Sequence, residues 1–505
     1  MPFKGISDAT TAAAPPPPPV ALPAPVDATP PAAASPRAVR WKLALVVLLA
    51  AVMATLVVAH VRGVNGPYYW TWSWRRLPAW PLYALMLCAA APFAAAQWLH
   101  ARGAGIKRCL ALVAASTLLL QVAAMWVQPP GHLRRMVDAV ESANVNYFAD
   151  AKVLAEQPNI PATDWLSQYP QVLPLLHIHA RYKPPGLLLY YYGLIQLLGT
   201  GHAAAAAGGA IMALLAALGG PATYAMLRQL GCGRDGAFCG AAFMAITPSL
   251  VLFWPQFDQA YVSIACGLVG LWAAALNAKR LGRGVLLAAA FGLLLALASF
   301  ASYTLLTLGV VLALQTILHV GDTRGRGTAW AMGACGAAFA SVGIAYLLLW
   351  AITGFDPVAT YVQITTSLGH DMVGLARPFP RHIPFDLLDY ALGLGWVGAL
   401  LAAMAIAAMG RGVWRIFSHG PVERVTFLAL LQLLAIAFTG LLPGETARTW
   451  MIYMPLMMAA IGAELSGWPA RARWVAYGCL WVIGVVICQN MTFIYMGPEF
   501  DGPRW

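Results

Sequence analysis

Long apolar runs recur along almost the whole of this sequence. Fourteen of them follow one another, at residues 41–61, 79–98, 109–127, 186–199, 203–227, 237–252, 259–277, 284–299, 303–319, 328–352, 387–409, 424–442, 450–466 and 473–494. An α-helix needs about 20 apolar residues to cross the hydrocarbon core of a bilayer. Only 10% of the residues are charged, compared with about 25% in soluble domains. The pattern predicts an all-α fold, a polytopic transmembrane bundle of about 13–14 helices.

The first 36 residues differ from the rest of the chain in composition. They are rich in Ala and Pro, and Pro15–Pro19 is an unbroken proline run. Such a segment cannot bury an apolar core, so we expect a disordered or polyproline-like cytoplasmic tail. It is too long and too rich in proline to be a cleavable signal peptide. Residues 37–505 are then expected to form a single transmembrane domain.

Lysine and arginine are concentrated in the short loops between the apolar runs. They occur at Arg37, Arg40 and Lys42 and again in the loops 278–283, 320–327, 410–423 and 467–473. Because short cytoplasmic loops are enriched in these residues, the distribution predicts a cytoplasmic N-terminus. It also accounts for the net charge of +12 without a nucleic-acid partner.

This orientation places one long loop, 128–185, on the extracytoplasmic face. The loops 353–386 and 443–449 and the side chain of Asp258 are expected on the same face. Counting membrane crossings from the N-terminus and from the C-terminal half gives the same orientation only if one of the runs 186–199 and 203–227 does not span the membrane fully. About thirteen crossings then remain, and the sequence leaves both runs open.

Polar residues from three parts of the chain therefore meet at the extracytoplasmic face. They are Asp150, His177, His179, Arg181 and Lys183 in the long loop, Asp258 before the run 259–277, and Glu445 with Arg448 at the start of another helix. Ionisable groups kept at a bilayer edge indicate function by default. The structural alternatives are a solvated loop acid, a snorkelling lysine, a helix cap and an ion pair at a helix start.

Two histidines, His177 and His179, lie two residues apart near the end of the long loop. Histidine is a common metal ligand, so a bound divalent metal is possible, although this spacing is also common in unstructured loops. The eight cysteines include no CxxC pair, which gives no indication of a metal knuckle or a disulfide framework. No cofactor is required by the sequence.

The segment Asn144–Leu198 resembles the first outer loop of membrane glycosyltransferases with the GT-C fold. Its centre reads Arg-Tyr-Lys-Pro-Pro-Gly at 181–186, where the next apolar run begins. Family 39 of these enzymes, which includes protein O-mannosyltransferases and lipid A aminoarabinose transferases, has Lys-Pro-Pro or His-Pro-Pro at this place. A proline and a later acid, like Pro248 and Asp258, follow downstream. The resemblance covers roughly residues 109–330.

The resemblance implies sugar transfer from a polyprenyl-phosphate donor at the outer face of a bacterial inner membrane. It implies the following roles: Asp150 as catalytic base, Asp258 as a further catalytic residue, Lys183, Arg448 and Arg181 as ligands of the donor phosphate, and His179, Glu445 and Tyr147 as supporting groups. Such transfer requires a carboxylate to take the acceptor's proton and fixed positive charge for the departing phosphate. The acceptor, a glycan, a lipid or a protein, stays open.

Two other interpretations remain. A secondary transporter or lipid flippase would have the same hydropathy, but transporters tend to show internal repeats and polar groups near the midplane. No repeat is visible here, and the polar residues gather at one face. A catalytically inactive relative is the second alternative, because Asp150 follows Tyr147 whereas the acid of the family precedes its tyrosine.

Overall fold

Helices make up almost all of the regular structure in the computed structural model of this protein. It describes residues 35–66, 71–77, 79–129, 131, 133–157, 161–323, 325, 327–372, 379–410, 420–440, 442 and 444–494. Most of the predicted N-terminal tail lies outside these ranges. At its end, the Ser35 hydroxyl caps the first helix by accepting a hydrogen bond from the Ala38 N–H.

The helices are numbered here in chain order. They are α1 (Pro36–Val58), α2 (Ala79–Ala101), α3 (Ile106–Trp126), α4 (Arg134–Glu141), α5 (Phe148–Ala155), α6 (Ala162–Ser167), α7 (Tyr169–Val172), α8 (Ile178–Arg181), α9 (Gly186–Leu198), α10 (His202–Ala217), α11 (Gly219–Gln229), α12 (Arg234–Ala245), α13 (Pro248–Leu252), α14 (Phe257–Leu276), α15 (Leu281–Ala301), α16 (Gly309–Asp322), α17 (Thr328–Thr353), α18 (Pro357–Met372), α19 (His382–Gly393), α20 (Val397–Met409), α21 (Pro421–Thr439), α22 (Thr446–Thr449), α23 (Met454–Ser466) and α24 (Ala470–Asn490). The described residues also include the 3₁₀ segments Leu173–Leu175, Tyr303–Leu308 and Met451–Tyr453. Two short strands, β1 (Ser73–Trp74) and β2 (Met491–Thr492), pair antiparallel with Ser73 opposite Thr492.

Ten helices in the described part of the chain are long and apolar enough to cross a membrane. They are α1, α2, α3, α10 continued by α11, α14, α15, the 3₁₀ segment Tyr303–Leu308 continued by α16, α17, α21 and α24. The prediction of an all-α, polytopic membrane bundle is confirmed. The number of full-length helices is smaller than the predicted 13–14, since α19 and α20 would add only an eleventh span and are bent by 108°.

Four of the fourteen apolar runs account for this difference, because each is short or interrupted. The run 237–252 breaks between α12 and α13, where Pro248 starts a new helix. The run 387–409 bends at Gly395 and Trp396, both with positive φ. The runs 186–199 and 450–466 form helices of only 13 residues, α9 and α23. Composition alone does not distinguish these runs from continuous spans, since their breaks are backbone features.

Of the two runs that the sequence leaves open, 186–199 forms α9, which is too short to cross a membrane fully. Its 13 residues measure about 20 Å at 1.5 Å per residue, against a hydrocarbon core of about 30 Å. Gly186 at its start packs against the backbone of Phe300 at the end of α15. Just after α9, His202 lies 2.5 Å from Glu141 of α4, which belongs to the long loop. Both ends of α9 therefore stay at the end of the bundle that carries this loop.

Charged contacts define the opposite end of the bundle. Lys42 of α1 pairs with Glu464 of α23 at 2.5 Å, and His100 of α2 lies 3.2 Å from Asp235 of α12. Arg424 of α21 pairs with Asp322 of α16. These contacts join helix ends next to predicted cytoplasmic loops, and the end of the bundle that they mark is called here the basic end. The other end, called the loop end, carries the long loop, the β1–β2 pair and the turns before α14 and α22.

Two of the short helices, α12 and α23, form the centre of the bundle. They pack backbone to backbone through glycines. A Cβ on Gly240 would lie 2.4 Å from the Met458 carbonyl oxygen, and one on Gly462 would lie 2.1 Å from the Gly236 carbonyl oxygen. Small residues allow such close approach of helices in a membrane. By contrast, α17 exposes large apolar side chains such as Phe339 and Ile352, as expected for a helix in contact with lipid.

Candidate functional site

The predicted site residues gather at the loop end, where the interrupted runs begin or break. Six of them form one group, called here the Lys183 cluster: Tyr147, His179, Lys183, Asp258, Glu445 and Arg448. Lys183 comes just before α9, Asp258 lies in the first turn of α14, and the last two lie just before and within α22. The prediction that separate parts of the chain meet at one face therefore agrees with the geometry.

Arg448 links the acidic residues of the cluster. Its guanidinium lies 2.5 Å from a Glu445 carboxylate oxygen and 3.4 Å from Asp258, and it also donates to the Gln256 side-chain oxygen at 3.4 Å. Burial lowers the pKa of Arg448, but Glu445 and Asp258 together raise it above its usual value, so the residue stays charged. Its Nε is buried and has no acceptor among the described residues, which leaves one donor for a ligand.

A strained turn presents Glu445 and Arg448 to the cluster. Gly444 and Glu445 both have positive φ, 74° and 49°, a conformation that is unfavourable for a non-glycine residue. Two buried acids of α19 hold this turn. Asp386 accepts a hydrogen bond from the Gly444 N–H at 2.9 Å, and Asp389 accepts one from the Ala447 N–H at 2.9 Å.

Trp72 completes this support from the strand region. Its indole Nε1 donates to the second carboxylate oxygen of Asp389 at 2.9 Å. The sequence analysis missed Asp386 and Asp389, although two acids three residues apart at the start of an apolar run were a visible signal. In a membrane protein such acids face the protein interior and find partners, and here their partners are the backbone of the turn.

Lys183 is the least neutralised cation of the cluster. Its amino group donates to the hydroxyls of Ser302 and Thr304, both at 3.2 Å, and forms no ion pair with a carboxylate in the described part of the chain. Burial, with a smaller contribution from the charge of Arg448, lowers the pKa of Lys183 below its usual value, although the nearby Asp258 carboxylate raises it. Pro184 and Pro185 are buried, so the backbone that carries the amino group is fixed. Ser302 lies between α15 and the following 3₁₀ segment, and Thr304 lies at the start of that segment, where Ser and Thr give no distinctive sequence signal.

His179 and Tyr147 line the cluster as uncharged groups. Burial and the charge of Arg448 lower the pKa of His179 to about 4, so its imidazole is neutral at pH 7. Burial, followed by the charge of Asp258, raises the pKa of Tyr147 above its usual value. The Tyr147 ring packs edge-on against Phe257 at 5.5 Å, as Tyr190 does at 5.4 Å. The wall on this side is therefore aromatic and rigid.

Asp150, the predicted base, lies in a second group within the long loop. Its buried carboxylate lies 2.8 Å from His177 Nδ1 and accepts the His177 backbone N–H at 3.3 Å. No described contact joins it to Lys183, Asp258 or Arg448. It lines a separate cavity of about 270 Å³, called here the loop pocket, bounded by α5, α6, α7 and the 3₁₀ segment Leu173–Leu175.

Arg181 does not join the Lys183 cluster through any described contact. Its guanidinium donates to the Leu176 carbonyl at 3.2 Å and so fastens the short turn around α8. The two loop histidines diverge, because His177 contacts Asp150 whereas His179 lies within the electrostatic reach of Arg448. Among the described residues, no three His, Cys, Asp or Glu side chains converge as a metal site would require.

The Lys183 cluster combines groups of both charges at the loop end. It offers a cation held only by hydroxyls, a guanidinium with a spare donor, and two carboxylates within reach of that guanidinium. Such a set can hold an anionic headgroup and accept a proton beside it. Comparison of the sequence with known protein families finds no matching family, and comparison with curated proteins finds no similar protein.

Proposed function

We propose that this protein is a membrane glycosyltransferase with a GT-C-like architecture, which transfers a sugar from a polyprenyl-phosphate donor to an acceptor hydroxyl. The observation that supports it best is the Lys183 amino group. It lies at the loop end of the bundle, is held by the hydroxyls of Ser302 and Thr304, and lies within the electrostatic reach of both Asp258 and Arg448. A loop lysine with no ligand would be solvated and would not need hydroxyl partners within the protein, whereas binding of a lipid phosphate requires a fixed positive charge.

In the proposed reaction the donor phosphate rests against Lys183, with the spare Nε donor of Arg448 on a second oxygen. The acceptor oxygen attacks the anomeric carbon, and the bond from that carbon to the phosphate oxygen breaks. The phosphate leaves with the bonding electron pair. The acceptor's proton passes to Asp258, the carboxylate of the cluster that lies farther from the Arg448 guanidinium, at 3.4 Å against 2.5 Å for Glu445. His179 stays neutral and therefore adds no positive charge to the phosphate site.

This assignment moves the proton acceptor from Asp150 to Asp258. A general base must lie within hydrogen-bond reach of the reacting hydroxyl, and Asp258 shares the cluster with the phosphate-binding cation. The carboxylate of Asp150 is engaged with His177 on the far side of the turn around α8. Asp150 then contributes to the loop rather than to the reacting atoms.

The orientation is part of the same proposal. With the basic end in the cytoplasm, as enrichment of Lys and Arg in short cytoplasmic loops favours, the loop end lies outside a bacterial inner membrane. Lipid-linked sugar donors would then be used at the extracytoplasmic face. The acceptor would be supplied from the same side.

The test is donor cleavage by the reconstituted protein. Purified protein in liposomes would be given polyprenyl-phosphate-linked hexoses and pentoses, and release of polyprenyl phosphate would be measured. We expect Lys183→Ala to lower the rate about 10²–10³-fold, as for loss of a transition-state charge contact, and Lys183→Arg to retain part of it. Lys152→Ala is the matched control, because Lys152 is an exposed lysine of the same loop, 3.8 Å from Glu156. Equal rates in Lys183→Ala and Lys152→Ala would refute the proposed role.

One observation favours a transporter as the second candidate function. Interrupted helices at the centre of a bundle, like α12–α13 and α19–α20, are typical of substrate sites in transporters. The same liposomes distinguish the two functions. A transporter or flippase moves an intact lipid or solute across the bilayer without releasing polyprenyl phosphate, whereas a transferase releases it.

A further inference from the structure

The loop pocket is built from a part of the chain that the proposed reaction does not use. Its walls are five aliphatic side chains together with Trp165, and its polar groups are Asp150, Gln157, Asp164 and Gln168. The volume of about 270 Å³ is close to the lower limit of ligand sites in proteins, about 300 Å³. A mostly apolar cavity with a few polar groups is the usual form of such a site.

The charges of the loop pocket select the kind of ligand. Two of its lining residues are carboxylates and two are amides, and none of the described lining residues is Lys or Arg. A phosphate or a carboxylate would meet only like charge there. An uncharged, hydroxyl-rich ligand or an amine can instead donate to these oxygens. The pocket therefore differs in chemistry from the Lys183 cluster, which suits an anion.

Trp165 adds an observation that points to a missing ligand atom. Its side chain is buried, with 4% exposed, and its indole Nε1 finds no acceptor among the described residues. Buried N–H groups normally have a partner, so this donor is available to an oxygen in the pocket.

Asp150 is held in place by the segment that leads to the Lys183 cluster. Its carboxylate accepts from both the ring and the backbone of His177, and six residues later the chain reaches Lys183. Tyr169 of α7 fixes the same segment by donating its hydroxyl to the Lys183 carbonyl at 3.0 Å. The segment 177–183 thus connects the contact at Asp150, which lines the loop pocket, to Lys183 of the cluster.

We infer that the loop pocket binds a sugar unit of the acceptor, uncharged or carrying an amine, while the reacting hydroxyl extends toward the Lys183 cluster. The assignment to the acceptor rests on the proposed function, because it requires a transfer reaction beside the pocket. The ligand chemistry, a neutral or amino sugar rather than an anion, rests on the pocket alone. The two parts are tested separately.

The ligand chemistry is tested by protection of an engineered thiol. In a Gln168→Cys variant the new thiol lies at the exposed rim of the pocket, and in a Lys152→Cys variant it lies on α5 outside the lining. Each would be labelled with an impermeant maleimide, and labelling would be read by peptide mass spectrometry, which separates it from the native cysteines. The probes are methyl glucoside, methyl mannoside, glucosamine and glucose 1-phosphate.

We expect at least one neutral or amino sugar to slow labelling of the Gln168→Cys variant about twofold at a concentration equal to its Kd. Labelling of Lys152→Cys should be unchanged. Adding Trp165→Ala, or the milder Asp164→Asn, to Gln168→Cys should weaken the protection. Absence of protection by every neutral and amino sugar, or equal protection by glucose 1-phosphate, would overturn the assignment.

Donor cleavage separates this inference from the proposed function. Gln168→Ala and Asp164→Asn should leave release of polyprenyl phosphate to water unchanged but reduce transfer to the sugar that protects the thiol. Protection without donor cleavage would keep the sugar site and remove its role as an acceptor site. Donor cleavage without any protection would remove the pocket assignment and keep the proposed function.

Discussion

Replacing Asp389 with asparagine tests the support of the turn that carries Arg448. Asp389 has 1% of its surface exposed. One carboxylate oxygen accepts from Trp72 Nε1 at 2.9 Å, and the other accepts from the Ala447 N–H at 2.9 Å and the Thr446 hydroxyl at 3.4 Å. Asparagine retains the volume and one oxygen but turns an NH₂ group toward one of these donors. The variant therefore changes hydrogen bonding without opening a cavity.

The expected cost follows from those bonds. A hydrogen bond to a charged group contributes about 1.5–3 kcal/mol, and a buried donor left without a partner costs about 1–3 kcal/mol. The two costs describe partly the same lost hydrogen bond and are not added in full, so we expect Asp389→Asn to reduce the free energy of unfolding by about 2–4 kcal/mol. The cost is concentrated in the turn at 444–449, so donor cleavage should fall as well.

The matched control is Asp356→Asn. Asp356 is exposed and accepts from the N–H groups of Val358 and Ala359, both at 2.9 Å, at the start of α18. Asparagine serves as well as aspartate at such a position, so the expected change is within about 0.5 kcal/mol. The assay is the apparent melting temperature in detergent, followed by size-exclusion chromatography of heated samples. Equal shifts for the two variants would refute the argument that Asp389 holds the turn.

Three further predictions concern the Lys183 cluster. Gly186→Ala places a Cβ 2.5 Å from a backbone oxygen of α15, whereas a Cβ on Gly193 of the same helix meets nothing within 4 Å; donor cleavage should fall severalfold in Gly186→Ala and stay unchanged in Gly193→Ala. If Arg448 binds substrate, Arg448→Ala should lower cleavage more than folded yield, and Glu445→Ala/Arg448→Ala should not restore cleavage. Recovery of activity in that double variant, which removes both partners of the 2.5 Å pair while Asp258 loses its contact with Arg448, would instead indicate a structural ion pair. The pKa of His179 is about 4 in the folded chain against a usual value of 6.5, so the unfolded chain binds more protons between pH 4 and 6.5, and stability falls as the pH drops through this range. His179→Gln should therefore flatten the fall of the melting temperature between pH 6.5 and 4. An unchanged pH profile would contradict the neutral state assigned to His179.

The sequence predicts the long helices well because a bilayer imposes one simple requirement. Runs of about 20 apolar residues became continuous helices at ten of the fourteen positions. Two of the other four runs form short helices, and two are broken by local backbone geometry, such as the positive φ of Gly395 and Trp396. A short helix such as α23 is stabilised by burial among neighbouring helices, and a single sequence does not show which helices will pack against it.

The candidate site divides in the same way. Lys183, Asp258 and Arg448 could be grouped from the sequence because each follows or precedes an apolar run at the same end of the bundle. Asp150 was grouped with them by its place in the loop, but its contact with His177 depends on how the loop folds back on itself. Ser302 and Thr304 could not be found, since hydroxyl residues at the end of an apolar run carry no specific signal until a lysine from elsewhere in the chain lies beside them.

The glycine contacts between α12 and α23 have a consequence for how a substrate gains access. Helix α12 leads through α13 to Asp258, and α23 follows directly on the turn that carries Arg448. Contacts between backbones leave no side chains that could repack to change the separation of the two helices. The close contact therefore fixes the separation of α12 and α23 where their glycines meet. If a lipid headgroup enters the Lys183 cluster as proposed, we expect the opening to come from the loop segment that carries Lys183 rather than from the contact between α12 and α23.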